Sequence, residues 1–185
     1  METPLLVAPR FDMMPLRQKD AGAIFTRWMT DRDVARFTTW CPQKDVQETH
    51  AWVATDIQRN QTDDYFSWGM YFDDFTYGHN RPRIFGHITL QVHQDSNVGT
   101  IGYNIMRSEW GKGLTTEAVQ AVLNFAFCRL NLAVVSAAIH VDNAGSCRVA
   151  EKVGMLRQYT FRMPWKDGKE APMLRYSITK EQFLS

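Results

Sequence analysis

The sequence contains no run approaching the ~20 apolar residues that a membrane-spanning helix requires. Neither sign of charge dominates: 21 Lys plus Arg stand against 20 Asp plus Glu, a net charge of +1. A broad basic face for nucleic acid or anionic lipid is therefore not expected, and any anion site must be local. Cysteine is scarce. Cys41, Cys128 and Cys147 are odd in number and far apart, which fits neither a disulfide framework nor a paired zinc motif and suits a reducing compartment, the cytoplasm. Residues 1–10 lack a basic start followed by a long hydrophobic region, so no secretory leader is expected. Repeats, low-complexity tracts and linker-like composition are missing too, and residues 1–185 read as one domain.

Two common nucleotide-binding motifs are also absent. A P-loop needs glycine where Met106 stands and Ser or Thr where Gly113 stands. A dinucleotide fingerprint needs a third glycine at Thr116. His87 and His93 lie on or beside one expected strand without the further ligands of a zinc site, so no metal is expected and both read as incidental.

What is present is a chain with 44% hydrophobic and 12% aromatic residues, enough to bury a core without disulfides. Asp20 reads as the cap of a helix over 21–30, and Asp45, with Glu48 three positions on, as the cap of a helix over 46–59. The spacing then shifts towards two: strands are expected over 66–72 and 84–92, joined by a loop over 73–82, and again over 99–106. Leu114, Ala118, Ala121, Val122 and Phe125 recur at helical spacing over 113–127. The small and β-branched run at 133–139 reads as a strand covered on both faces. Asn143 can cap a helix over 144–152 that ends at Gly154, and Asp167-Gly168 lies between strands at 156–163 and 173–178.

The segment Trp110-Gly111-Lys112-Gly113-Leu114-Thr115-Thr116-Glu117-Ala118 sits where a strand turns into a helix. Glycines there let the backbone approach a ligand, and the first amides of the helix point outward unpaired. With the helix dipole, they suit a diphosphate without a lysine cluster, in keeping with the near-neutral charge. An isolated glycine pair is equally a bare turn; the surrounding order of elements favours the ligand.

That order resembles the GCN5-related N-acetyltransferase (GNAT) superfamily, in particular its RimJ/RimL-type branch of ribosomal-protein N-terminal acetyltransferases. The resemblance spans nearly the whole chain. It is carried by Met14-Pro15-Leu16-Arg17 with Asp20-Ala21, by Ile101-Gly102-Tyr103 with Trp110-Gly111-Lys112-Gly113, and by Asn143-Ala144-Gly145-Ser146 with Glu151-Lys152-Val153-Gly154-Met155. Two positions depart from the pattern. Ser108 replaces a Gln or Arg, with Arg107 beside it, and Ala150 stands where many members carry a tyrosine that acts as general acid.

The resemblance implies an α/β (α+β) fold: a mixed, mostly antiparallel twisted sheet of about seven strands, about four helices and a splayed central strand pair. It implies acetyl-coenzyme A as co-substrate, with Ile105 and Met106 as main-chain partners of the pantetheine arm. Arg107, Trp110, Gly111, Lys112, Gly113, Leu114 and Thr115 would surround the pyrophosphate, and Asn143 and Ser146 would sit at the pantetheine. Acyl transfer to an amine needs a base and a donor to the leaving thiolate. Ser146 is the donor candidate, with helix capping as its alternative role. Glu109 and His140 are base candidates, with a loop carboxylate and an ordinary strand-end histidine as their alternatives. The implied partner is an amine acceptor, either a protein N-terminus or a small molecule such as an antibiotic; a homodimer is compatible with the sequence. A non-catalytic coenzyme A-binding regulatory domain is the remaining alternative.

Overall fold

In the computed structural model, residues 1–72 and 83–185 are described; the loop expected over 73–82 lies outside them. The chain opens with β1 (Leu6–Ala8) and β2 (Phe11–Met14), an antiparallel pair around a tight turn at Pro9 and Arg10. The family resemblance at Met14-Pro15-Leu16-Arg17 implies a strand there; the observed strand lies earlier, at Phe11–Met14. Pro15 has no N–H to donate, so pairing stops at Met14. The expected helix over 21–30 is a composite: a 3-10 turn Gln18–Asp20, α1 (Ala21–Ile24), then a π-helical stretch Phe25–Met29. Asp20 is not its cap. Its carboxylate reaches back to accept the Arg17 amide at 2.9 Å and also takes the Tyr71 hydroxyl at 2.8 Å.

Then follow α2 (Arg32–Ala35), α3 (Val46–Arg59), β3 (Tyr65–Phe72), β4 (Arg83–His93), β5 (Val98–Ile105), α4 (Leu114–Asn124), β6 (Val134–His140), α5 (Ala144–Lys152), β7 (Leu156–Pro164), β8 (Glu170–Thr179) and α6 (Lys180–Leu184). As the sequence suggests, Asp45 caps α3 by accepting the Gln47 amide at 2.9 Å. The strands form one sheet in the order β1-β2-β3-β4-β5-β6-β8-β7. Every pairing is antiparallel except the central β5–β6 pair. This is the expected mixed, mostly antiparallel architecture, with eight strands rather than about seven and six α-helices among the described residues rather than about four. The extra elements, β1, α2 and α6, are three to five residues long, too short for periodicity to reveal.

Alternation sorts the sheet's side chains onto two cores. On one face Ile88, Leu90, Ile101 and Val135 pack against Leu114, Ala118 and Val122 of α4 and Phe125 of the π-helical stretch Phe125–Arg129 that continues it. On the other, Tyr71 and Ile84 meet Ile24, Trp28 and Val53. Ile84 would share the Ile88 face if β4 alternated throughout. An irregularity opposite Met70 and Tyr71 leaves Phe85 without a partner on β3 and swaps the faces beyond it. No helix among the described residues is long and apolar enough to cross a membrane.

Candidate active site

The sheet opens at its centre. β5 and β6 pair only at Val98–Val134, Gly99–Val135 and Thr100–Ser136, and beyond these positions no register joins them. The Met106 amide donates to the Phe85 carbonyl of the β4 side at 2.9 Å. Main-chain groups alternate along a strand, so that phase turns those of Tyr103 and Ile105 towards the opening. The Ile105 carbonyl is already taken by the Trp110 indole N–H at 3.0 Å. The Tyr103 groups and the Ile105 amide therefore form the exposed edge. Met106 does not contribute to it, because its carbonyl accepts the Glu109 amide at 3.0 Å as well.

Two cavities meet in the opening. One, of about 420 Å³, lies between the starts of α4 and α5 and is lined by Ile105, Trp110, Gly111, Thr115, Asn143 and Ser146 among others. The other, of about 310 Å³, lies towards α3 and the β7–β8 hairpin, and its lining includes Trp40, Trp52, His87, His140 and Trp165. They share Phe37, Thr38, Tyr103, Asn104, Asn143 and Ser146.

At the larger cavity the glycine turn has the geometry that its composition suggests. Gly111 and Gly113 have φ of 75° and 79°, in the left-handed region where glycine carries no steric cost. No atom lies within 4 Å of where a Gly111 side chain would project. Gly113 precedes α4, and the first amides of that helix have no carbonyl one turn back. Leu114 contributes only backbone here, since its side chain is 3% exposed and in the core.

Charged groups brace the turn from behind. Arg10 donates to the Lys112 carbonyl and to the Glu117 carboxylate, both at 2.7 Å. Lys112 Nζ donates to Glu109 at 3.0 Å, and Arg83 lies 3.8 Å from the same carboxylate. Glu109, 8% exposed and held by two cations, lines neither cavity. Arg107 is paired with Asp33 at 2.6 Å and Asp31 at 3.3 Å, so it does not present a free charge to stand in for the Gln or Arg that Ser108 replaces.

At the start of α5, Asn143 Oδ1 accepts the Ser146 amide at 3.1 Å. Asn143 therefore caps the helix, and the Ser146 hydroxyl has no partner among the described residues. Tyr103 donates to the Ser146 carbonyl at 3.4 Å, and burial pushes its phenol up to about 12. His140 faces the smaller cavity between Phe37 and Trp165, with ring centroids 5.2 and 5.6 Å away. Its Nδ1 accepts the Asp142 amide at 3.2 Å, which places the proton of the neutral ring on Nε2. Ala150 is 2% exposed in the core, so its position presents no acid.

Three residues in this region were not legible as site residues. Arg10 reaches the turn across 102 residues of sequence. Arg148, on α5, lines the larger cavity, and its position beside the Asn143-to-Ser146 motif was the available signal. His87 lines the smaller one.

A helix start preceded by two left-handed glycines and an aromatic chamber are thus joined through a splayed strand pair. Residues 10–156 match the acetyltransferase (GNAT) domain family. The chain is 31% identical over 159 residues to YkkB of Bacillus subtilis (strain 168), covering 85% of this chain and 88% of that one. Among solved structures, a GNAT-family acetyltransferase from Bacillus anthracis superposes with a TM-score of 0.81 at 23% identity, over 96% of this chain and 99% of that one. RimL, a ribosomal L7/L12 α-N-protein acetyltransferase in complex with coenzyme A, superposes with a TM-score of 0.82 at 15% identity, over 95% and 98%. The chain belongs to the GNAT acetyltransferase family.

Proposed function

We propose that this chain, read as one domain over residues 1–185, transfers the acetyl group of acetyl-coenzyme A to a primary amine. The observation that carries the reading is the pair of cavities meeting at Ser146, one reaching the glycine turn and the other the aromatic chamber. The donor set fits a coenzyme A thioester. Unpaired helix-start amides and two positive-φ glycines suit a pyrophosphate, Arg148 adds a cation in the same cavity, and the Tyr103–Ile105 edge offers strand-like bonds to an amide-containing arm. The coenzyme A in the RimL structure agrees with this choice. Acetyl-coenzyme A supplies the activated acyl group. The protein orients an amine against it, and the Ser146 hydroxyl donates a hydrogen bond towards the departing sulfur. Three widely spaced cysteines suit a reducing compartment, and on that ground we read the protein as cytoplasmic.

The resemblance to the RimJ/RimL-type branch keeps a protein N-terminus among the acceptors, but the geometry favours a small amine. Lys166, at the tip of the β7–β8 hairpin, donates to the carbonyls of Ala35, Arg36 and Trp40. This clasp ties Trp165 to the loop after α2, and residues from both line the smaller cavity. A chamber walled in this way by aromatic side chains suits a small amine. Thiol release from acetyl-coenzyme A, measured over parallel panels of peptides and small amines, tests the reading. Turnover confined to peptides would reverse the acceptor assignment. Thermal stabilisation by acetyl-coenzyme A without turnover on any amine would support a regulatory coenzyme A-binding domain instead.

A further inference from the structure

The smaller cavity carries a buried histidine–carboxylate pair at the end away from the glycine turn. His87 is 3% exposed and Asp56 4% exposed, and His87 Nε2 lies 3.3 Å from Asp56 Oδ1. The approach is out of line for a hydrogen bond, so Nε2 is a buried nitrogen with no hydrogen-bond partner. Asp56 is held from the other side by the Tyr65 hydroxyl at 2.8 Å and by the Ser67 hydroxyl. Burial opposes ionisation of Asp56, but the nearby imidazole and the two hydroxyls outweigh it and hold the carboxyl below its ordinary range. The anion is thus built in, and it faces an imidazole that lines the cavity. His87 pairs across the β4–β5 ladder with Asn104, which lines both cavities and whose side-chain oxygen is buried without a partner.

We infer that His87 is the general base that deprotonates the acceptor amine and that Asp56 is its positioning residue; the inference rests on the acetyl-transfer reading above. With Nε2 turned to Asp56, Nδ1 is the ring nitrogen available to the cavity. An ammonium entering beside Asn104 gives one proton to His87 Nδ1, its N–H bond breaking as the new one forms. The freed lone pair forms the C–N bond to the acyl carbon while the C–S bond breaks. The sulfur leaves with that electron pair and receives the nitrogen's second proton, and His87 returns the first to solvent. Asp56 stabilises the imidazolium in between.

The other candidates serve this role less well. Glu109 is outside the cavity, and His140 Nδ1 already accepts a main-chain amide. The charged and titratable groups around His87 are few. α3 brings Asp56, β3 brings Tyr65 with Arg59 stacked 3.9 Å from its ring, β5 brings the neutral Asn104, and His140 stands across the cavity. Trp52 packs on the imidazole at 5.0 Å and fixes its plane.

The test is the pH dependence of kcat/KM for His87→Gln and Asp56→Asn, on an amine that the wild-type protein acetylates, with acetyl-coenzyme A affinity measured alongside. His87→Gln is expected to lose about 100-fold or more near neutral pH, the usual contribution of a general base. Its affinity for acetyl-coenzyme A should stay within about threefold. The deficit should shrink as the pH rises towards the amine's own pKa, because solvent then supplies the neutral amine; a structural defect would not recover in this way. Asp56→Asn, whose amide can accept from one of the two hydroxyls and donate to the other, should show a smaller deficit with the same recovery, and it serves as the second probe if Gln is poorly tolerated at a buried site. Near wild-type rates for both variants, or a deficit equal at every pH, would overturn the assignment of His87 alone. A wild-type protein that binds acetyl-coenzyme A and acetylates no amine would overturn the acetyl-transfer reading and this role together.

Discussion

At Ser146, a neighbouring side chain bears on the residue's role. A serine near a helix start commonly serves the backbone, but here Asn143 already accepts the Ser146 amide. The hydroxyl is left at the junction of the two cavities, where a leaving sulfur would need a donor. Ser146→Ala should therefore lower kcat by about tenfold, the value of a single hydrogen bond of roughly 1.4 kcal/mol made in the transition state. Acetyl-coenzyme A affinity should be nearly unchanged in calorimetry, and a change in binding with kcat intact would contradict the role. This distinction was open in the sequence, because a hydroxyl at that position is compatible with both uses. By contrast, the special conformations of Gly111 and Gly113 were legible, since glycines at a strand-to-helix turn carry their own stereochemical reason. Asp20 was misread for the complementary reason: it has the right chemistry for a cap, but Arg17 and Tyr71 claim its carboxylate.

The turn before α4 is a joint between distant elements. Arg10, in the turn between β1 and β2, holds the Lys112 carbonyl and Glu117 together, so the N-terminal hairpin braces the proposed pyrophosphate site. Arg10 is 46% exposed at its side chain, and the pair with Glu117 alone is worth at most about 1 kcal/mol. Arg10→Met should accordingly weaken acetyl-coenzyme A binding several-fold and leave the melting temperature within a few degrees. Equal affinity in the variant would show that the brace is incidental. Helices α3 and α5 could be placed from caps and periodicity, and both are observed with the expected bounds. The brace, the Lys166 clasp and the Asp56–His87 pair could not. Each joins segments between 31 and 131 residues apart in sequence, through side chains that look like ordinary surface charges or a stray histidine until the sheet assembles.

For the whole molecule, a buried carboxylate beside the smaller cavity couples that region to acid stability. The folded state holds Asp56 below its ordinary value of 3.8. Its stabilising contribution is therefore complete above the ordinary carboxylate range and is lost as the pH falls through the lower folded value. The stability gap between wild type and Asp56→Asn should stay constant above about pH 5 and close at lower pH. Thermal melts across that range check it, and a gap that widens on acidification would contradict the assignment. On the proposed reading, donor and acceptor occupy the two cavities that meet at the splayed strand pair, with the donor's pyrophosphate on a backbone turn. Calorimetric titration of acetyl-coenzyme A into wild type and Gly111→Val tests that arrangement most directly. A side chain at φ 75° costs about 1–2 kcal/mol of stability and projects into the space assigned to the pyrophosphate. Binding at one site per chain in the wild type, and at least about 100-fold weaker binding by a folded variant, is the predicted result. Equal affinity in the two proteins would contradict it.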